Sequence, residues 1–230
     1  MAQTSFNLTA IAIFVVVMMS LVGPAINLPA AIPASLTAAF LGLAAIDTLA
    51  WKGQGATLAL DWIARTTGGE AYKSRIRHHE AGHFLVAVLL DIPITGYALN
   101  AWDAFRQGQP GLGGVAFDTS QLQQEISQGK LSAQTVDRYF RVWMAGIAAE
   151  QLVYGNAEGG EDDRQALRLL WQQCQRPVAE YAQKERWALL QAKTLLQTHQ
   201  VAYDALVKAL AEGASIQDCY ATIAPLLGSS

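Results

Sequence analysis

No aspartate, glutamate, lysine, arginine or histidine occurs before Asp47. A long uncharged start leaves a chain few options, because apolar surface must be removed from water by something. Within it lie "LTAIAIFVVVMMSLVGPAI" (Leu8–Ile26) and "PASLTAAFLGLAAIDTLAW" (Pro33–Trp51). Each is about 19 residues long, and a helix rising about 1.5 Å per residue then just crosses a bilayer core of about 30 Å. "NLPAAI" joins them, with Pro24, Pro29 and Pro33 marking the turn. The first segment lacks the basic leader of a signal peptide. The expectation is therefore a transmembrane helical hairpin over residues 1–52. Asp47 sits one turn before Trp51, where an interfacial position would tolerate it. Lys52, Arg65, Lys73, Arg75 and Arg77 all follow the second segment. By the positive-inside rule, the expected placement is an integral membrane protein with its larger part on the cytoplasmic, or stromal, side.

The remainder reads as mainly α. "GQGATLALDWIARTTGGEAYKSR" (Gly53–Arg75) has the pattern of a short amphipathic helix with a Gly-Gly break, so residues 53–73 are expected to be a linker. Residues 74–230 then form one helical domain with a small β element. A helix is expected from about Ser74 to Leu90, stopped by Asp91 and Pro93. "ITGYALNA" and "GGVAFD" carry the β-branched and aromatic content of two short strands, with the glycine-rich "WDAFRQGQPGLGG" between them as a loop. Ser132–Tyr154 is apolar on most sides and should be central to the core. A helix from about Asp162 to Gln175 and a long one from Val178 to Glu212 complete the reading. A net charge of −3 argues against a nucleic-acid surface. The two cysteines, Cys174 and Cys219, form no Cys-x-x-Cys pair, which excludes a cysteine-based zinc ribbon.

The chemistry concentrates in "RHHEAGHFLV" (Arg77–Val86), which holds three of the four histidines. On a helix, positions i and i+4 lie only about 40° apart around the axis. His79 and His83 therefore project from one face and can grip one metal ion. His78 is about 140° from His83 and is left out by the same geometry. Glu80 lies beside the ligand face, where its carboxylate can reach a water held by the metal. This is the His-Glu-x-x-His arrangement of zinc hydrolases. A catalytic zinc usually takes a third protein ligand. Glu150, Asp162 and Asp163 are the acidic candidates, and spacing does not choose among them.

"HHEAGHFLVAVLL", "AGIAAEQLVYG" and "GGEDDRQAL", in that order and spacing, resemble the peptidase domain of the FtsH-type ATP-dependent zinc metalloproteases. The tail "AKTLLQTHQVAYDALVKALAEG" is similar to their closing helix, so the resemblance runs from about Ser74 to Glu212. It implies a mostly helical metallopeptidase in which an aspartate after the glycine-rich turn completes the zinc shell. Aligning "EDDRQA" without gaps on the family's Asn-Asp-x-x-x-Ala pattern puts that role on Asp162. The chain departs from the family in lacking any G-x-x-x-x-G-K-[ST], so no ATP is expected to bind it. It also carries Ala145–Gly146–Ile147 where the family has Gly-Gly-Arg. In this it looks most like the small members without an ATPase module.

The expected function is a membrane-anchored zinc metalloendopeptidase acting on flexible or unfolded protein segments, with His79, His83 and Asp162 on zinc and Glu80 as general base. An extended substrate is expected to pair with the strand near Gly114–Asp118, with Trp102 and Phe105 lining the cleft. A separate ATPase or a second copy of the chain is a conceivable partner. The alternative is a non-proteolytic interaction or assembly module derived from a metalloprotease.

Overall fold

The structure, a computed structural model, describes residues 2–50, 55–109 and 113–228. The chain divides into two compact units, one ending at Ile63 and one beginning at Ala64.

In the first unit, α1 (Ala2–Val22) and α2 (Ala31–Ala50) pack as a helical hairpin. A 3-10 turn over Gly23–Ile26 joins them, closed by Asn27 in the left-handed region at φ 56°. No helix among the described residues is long and apolar enough to cross a membrane. The transmembrane reading of residues 1–52 is therefore corrected, and the integral-membrane, cytoplasmic or stromal placement goes with it. The physical reason lies in where the helices start and stop. Leu8–Ile26 is not one helix, because α1 gives way to the 3-10 turn after Val22, where Gly23 and Pro24 follow. α1 also opens on the polar sequence Gln3-Thr4-Ser5. Leu8–Val22 is a run of only about 15 residues, or about 22 Å of helix. In α2 the uncharged run ends at Asp47, whose carboxylate accepts the Gly55 N–H at 2.6 Å. Asp47 is thus occupied at the start of the next helix rather than placed at a lipid interface. Trp51 and Lys52, which anchored that reading, lie outside the described residues.

α3 (Gly55–Leu89) carries the histidine motif and is interrupted at Gly69, where φ 57° and ψ −141° leave the helical region. The helix that bears the motif so begins just after the glycine pair, not at Ser74. β1 (Ile94–Ala98) and β2 (Gly114–Phe117) form an antiparallel two-stranded sheet, pairing Tyr97 with Val115 and Ala98 with Gly114. Part of the expected glycine-rich loop is instead α4 (Ala101–Arg106), capped by the Asn100 side chain accepting from the Asp103 N–H at 2.7 Å. Pro110–Leu112 of that loop lie outside the described residues. α5 (Ser120–Ser127) and α6 (Ala133–Tyr154) follow, then α7 (Glu161–Gln173).

The expected long helix is two: α8 (Val178–Thr198) and α9 (Gln200–Ala211), broken at His199 with φ −111° and ψ 36°. Neither glycine nor proline marks that break. α10 (Ile216–Leu227) ends the described chain, opened by a Ser215–Asp218 capping box.

α6 is the hub of the second unit. It packs against α7 and α8 and buries Phe140, Met144 and Ile147. Phe140 meets Trp171 edge to face at 5.7 Å, and Phe84 of α3 meets Tyr220 of α10 at 5.4 Å. α3 crosses α6 at very close range through Gly82. A Cβ there would lie 2.6 Å from the Ala145 carbonyl oxygen and 2.8 Å from the Ala149 Cβ. Only a glycine admits that approach, and it presses the histidine face of α3 onto α6.

Candidate metal centre

His79 and His83 turn inward from α3 as their spacing requires, and their Nε2 atoms lie 3.0 Å apart. The third group is supplied by α7. One Asp163 oxygen is 3.2 Å from His79 Nε2 and the other 3.3 Å from His83 Nε2. Ligand atoms of His79, His83 and Asp163 all fall within 4.8 Å of one another.

Asp162, the residue favoured by ungapped alignment, is exposed and touches neither histidine. Helical periodicity explains the difference. Asp163 shares its face with Leu167, Leu170 and Trp171, at i+4, i+7 and i+8, and all three are buried. Asp162 shares its face with Gln165 and Leu169, which are exposed. That signal was present in the sequence, since Leu167, Leu170 and Trp171 mark the inner stripe of α7.

Glu150 is fully buried but is not a member of the triad. It accepts from His79 Nδ1 at 2.7 Å, from Arg75 at 2.8 Å, and from the backbone N–H groups of Glu158 and Gly159. Arg75 is held in turn by Asn156 and lies over the Tyr154 ring at 4.4 Å. His83 Nδ1 donates to the Val142 carbonyl at 2.8 Å. Gly146 lies beneath His79, where a Cβ would come within 2.3 Å of Nε2.

These outer contacts fix the tautomers. A carbonyl and an ionised carboxylate only accept, so both Nδ1 atoms carry hydrogen and both neutral rings turn a lone pair inward at Nε2. Two lone pairs and a carboxylate then converge with no donor among them. Such a set calls for a cation or for protons. Without a metal, protons meet the need. Burial opposes charge on His79, yet the hydrogen bonds to Asp163 and Glu150 outweigh it and hold the imidazole up at about 10. His83 is shifted upward in the same way, with burial opposing and Asp163 prevailing. Burial disfavours the Asp163 anion, but the two imidazoles win and keep its carboxyl far below the usual range. The donor set, two imidazole nitrogens and a carboxylate with oriented outer partners, fits zinc.

Glu80 is half-buried, and desolvation raises its pKa against the pull of the two histidines. Its carboxylate accepts the Val115 N–H of β2 at 2.9 Å. Gly114, at φ 129°, brings that strand's backbone alongside. Trp102 and Phe105 stack on each other, with centroids 6.0 Å apart. His78 faces elsewhere: its Nδ1 donates to the Tyr203 hydroxyl at 2.9 Å, which donates to the His78 carbonyl at 3.0 Å.

Compared with known proteins, the chain matches no family model and no curated sequence.

Proposed function

We propose that the chain is a zinc-dependent metallopeptidase that cuts flexible or unfolded polypeptide. The observation that carries this reading is the convergence of His79 Nε2, His83 Nε2 and Asp163, with both Nδ1 atoms already committed elsewhere. The likeness of the motif order to FtsH-type peptidases supports it, with Asp163 rather than Asp162 as third ligand. A bound zinc supplies Lewis-acid chemistry, activating water at neutral pH and polarising a carbonyl.

The chain's own groups do the rest. Glu80, its affinity for protons raised by burial, takes a proton from water and returns it to the leaving amine. Glu150 and Val142 hold the two imidazoles in their tautomers. Among the described residues β2 pairs only with β1, and its other edge, where Glu80 takes the Val115 N–H, can accept an extended segment through the remaining main-chain groups. No ATP is required by any of these steps, so substrates are restricted to segments already unfolded.

The test is digestion of a permanently unfolded, carboxymethylated protein by the zinc-loaded chain. Wild type should cleave it, and Glu80→Gln should keep its zinc while losing about 100- to 10,000-fold in rate. Undiminished cleavage by Glu80→Gln, or none by zinc-loaded wild type, contradicts the proposal. The second of these results favours a binding module.

A further inference from the structure

Away from the metal centre, the second unit holds a cleft of about 660 Å³. Its wall on one side is β1 with the residues that follow it, Thr95–Asn100, and on the other the turn between α9 and α10. The Tyr97 hydroxyl donates to the Ala214 carbonyl and ties these two walls together. Arg65, Lys73 and Arg77 of α3 all line the cleft. One carboxylate, Asp103, lines it too, and is bonded by the Asn100 amide at 2.5 Å. The lining carries three cations and one anion in a chain of net charge −3, and two carboxylates outside the lining, Glu70 and Asp218, bond to its Arg77 and Ser215.

The cations are not consumed equally by the fold. Arg65 donates to the Leu99 carbonyl and Arg77 pairs with the exposed Glu70. Lys73 makes no hydrogen bond or ion pair among the described residues, although its charge reaches the Glu70 carboxylate through space. Ile216 and Gln217, the first residues of α10, also line the cleft, and their amides have no intrahelical acceptor. The recess runs along a stretch of backbone, not around a single point. Its back wall is the strand that pairs with β2, and β2 holds Glu80. Paired strands lie about 4.8 Å apart, so a segment in the cleft is within a few residues' reach of the metal centre.

We propose that this cleft is a second binding site that holds an acidic, extended stretch of the polypeptide being cut. The proposal rests on the peptidase reading and adds a preference to it: acidic residues a short distance from the scissile bond hold the substrate. Charge selects the segment, which lies along the residues from Thr95 to Asn100 that form one wall of the cleft.

Binding in the absence of cleavage tests this. The probe is a fluorescein-labelled peptide of alternating glutamate and serine, read by anisotropy with the full-length Glu80→Gln protein. Its counterpart has glutamine for each glutamate. The glutamate peptide is expected to bind at least tenfold tighter, and Lys73→Glu to abolish that difference. Lys130→Glu, the same charge change at an exposed turn, should leave it intact. Equal binding of the two peptides overturns the proposal, as does an unchanged preference in Lys73→Glu. Competition by millimolar inorganic phosphate as effective as unlabelled glutamate peptide also overturns it, marking a small-anion site. Because the readout needs no hydrolysis, failure of wild type to cleave contradicts the peptidase reading without deciding the cleft.

Discussion

His78 and His79 are neighbours in sequence, yet the two faces of α3 on which they sit have opposite physical character. His78 looks toward α9, where Tyr203 satisfies it, and burial pushes its imidazole's pKa down. His79 looks toward α6 and α7, where burial also opposes the charge but Asp163 and Glu150 overcome it and lift the value to about 10. Both rings are largely shielded from water, so burial alone does not separate them. What separates them is the number of carboxylates that a ring's two nitrogens meet. A histidine with one neutral hydroxyl partner stabilises a fold; one held between two anions is prepared to exchange a proton for a metal ion.

The comparison can be broken most severely from α6. Gly146→Ala places a methyl group where His79 Nε2 now lies. Zinc affinity should fall by more than the roughly 100-fold that losing an outer partner costs, with a stability loss of about 1–3 kcal/mol from overpacking. Calorimetric titration with zinc checks the first and thermal unfolding the second. Retention of wild-type affinity would mean that the His79 face does not bind metal as described.

A smaller effect is expected further out. Glu150→Ala removes the acceptor of His79 Nδ1 and leaves Arg75 without its buried partner. Zinc affinity should drop about 10- to 100-fold. The same carboxylate sets an acid limit. Burial disfavours its anion, but hydrogen bonds from His79 and Arg75 prevail and lower its pKa from 4.5 to about 2. A depressed carboxyl stabilises the fold fully above its unfolded value, and that contribution is lost as pH falls through the folded value. Wild type should therefore lose stability between about pH 5 and pH 2, and Glu150→Gln should flatten that part of the curve.

pH also reaches the metal. The His79 proton, held to about pH 10 in the metal-free chain, must leave before zinc enters. As pH rises from about 6.5 towards that value, apparent zinc affinity should climb at least about tenfold per unit, and more steeply where His83, also shifted upward, still holds its proton. In metal-free protein the sign is opposite for stability: a raised imidazole stabilises fully below its unfolded value of 6.5, and that support is lost as pH rises through about 10. The smallest effect belongs to the other face. His78→Ala gives up the Tyr203 hydrogen bond, about 1 kcal/mol, and should leave zinc affinity within about twofold. A tenfold loss there would erase the distinction between the faces.

How much of this could be read beforehand follows the range of the interactions. The i, i+4 pair is local geometry, so His79 and His83, with Glu80 beside them, were legible from ten residues. The two strands and the central α6 follow from composition and periodicity. The third ligand comes from another helix, and only the inner stripe of Leu167, Leu170 and Trp171 distinguishes Asp163 from Asp162. Arg75, Val142 and Val115 act through contacts distant in sequence, two of them through backbone atoms that no residue type announces. The uncharged start misled because run length was counted across Gly23 and Pro24, where α1 ends and the 3-10 turn begins. The break at His199 has neither glycine nor proline to announce it in the sequence.

The direct test is the zinc content of purified full-length protein, measured by mass spectrometry for wild type, Asp162→Asn and Asp163→Asn side by side. About one zinc per chain is expected in wild type and in Asp162→Asn, with almost none in Asp163→Asn, because a neutral amide cannot replace the carboxylate between two imidazoles. Equal zinc in all three proteins, or loss in Asp162→Asn alone, would contradict the account.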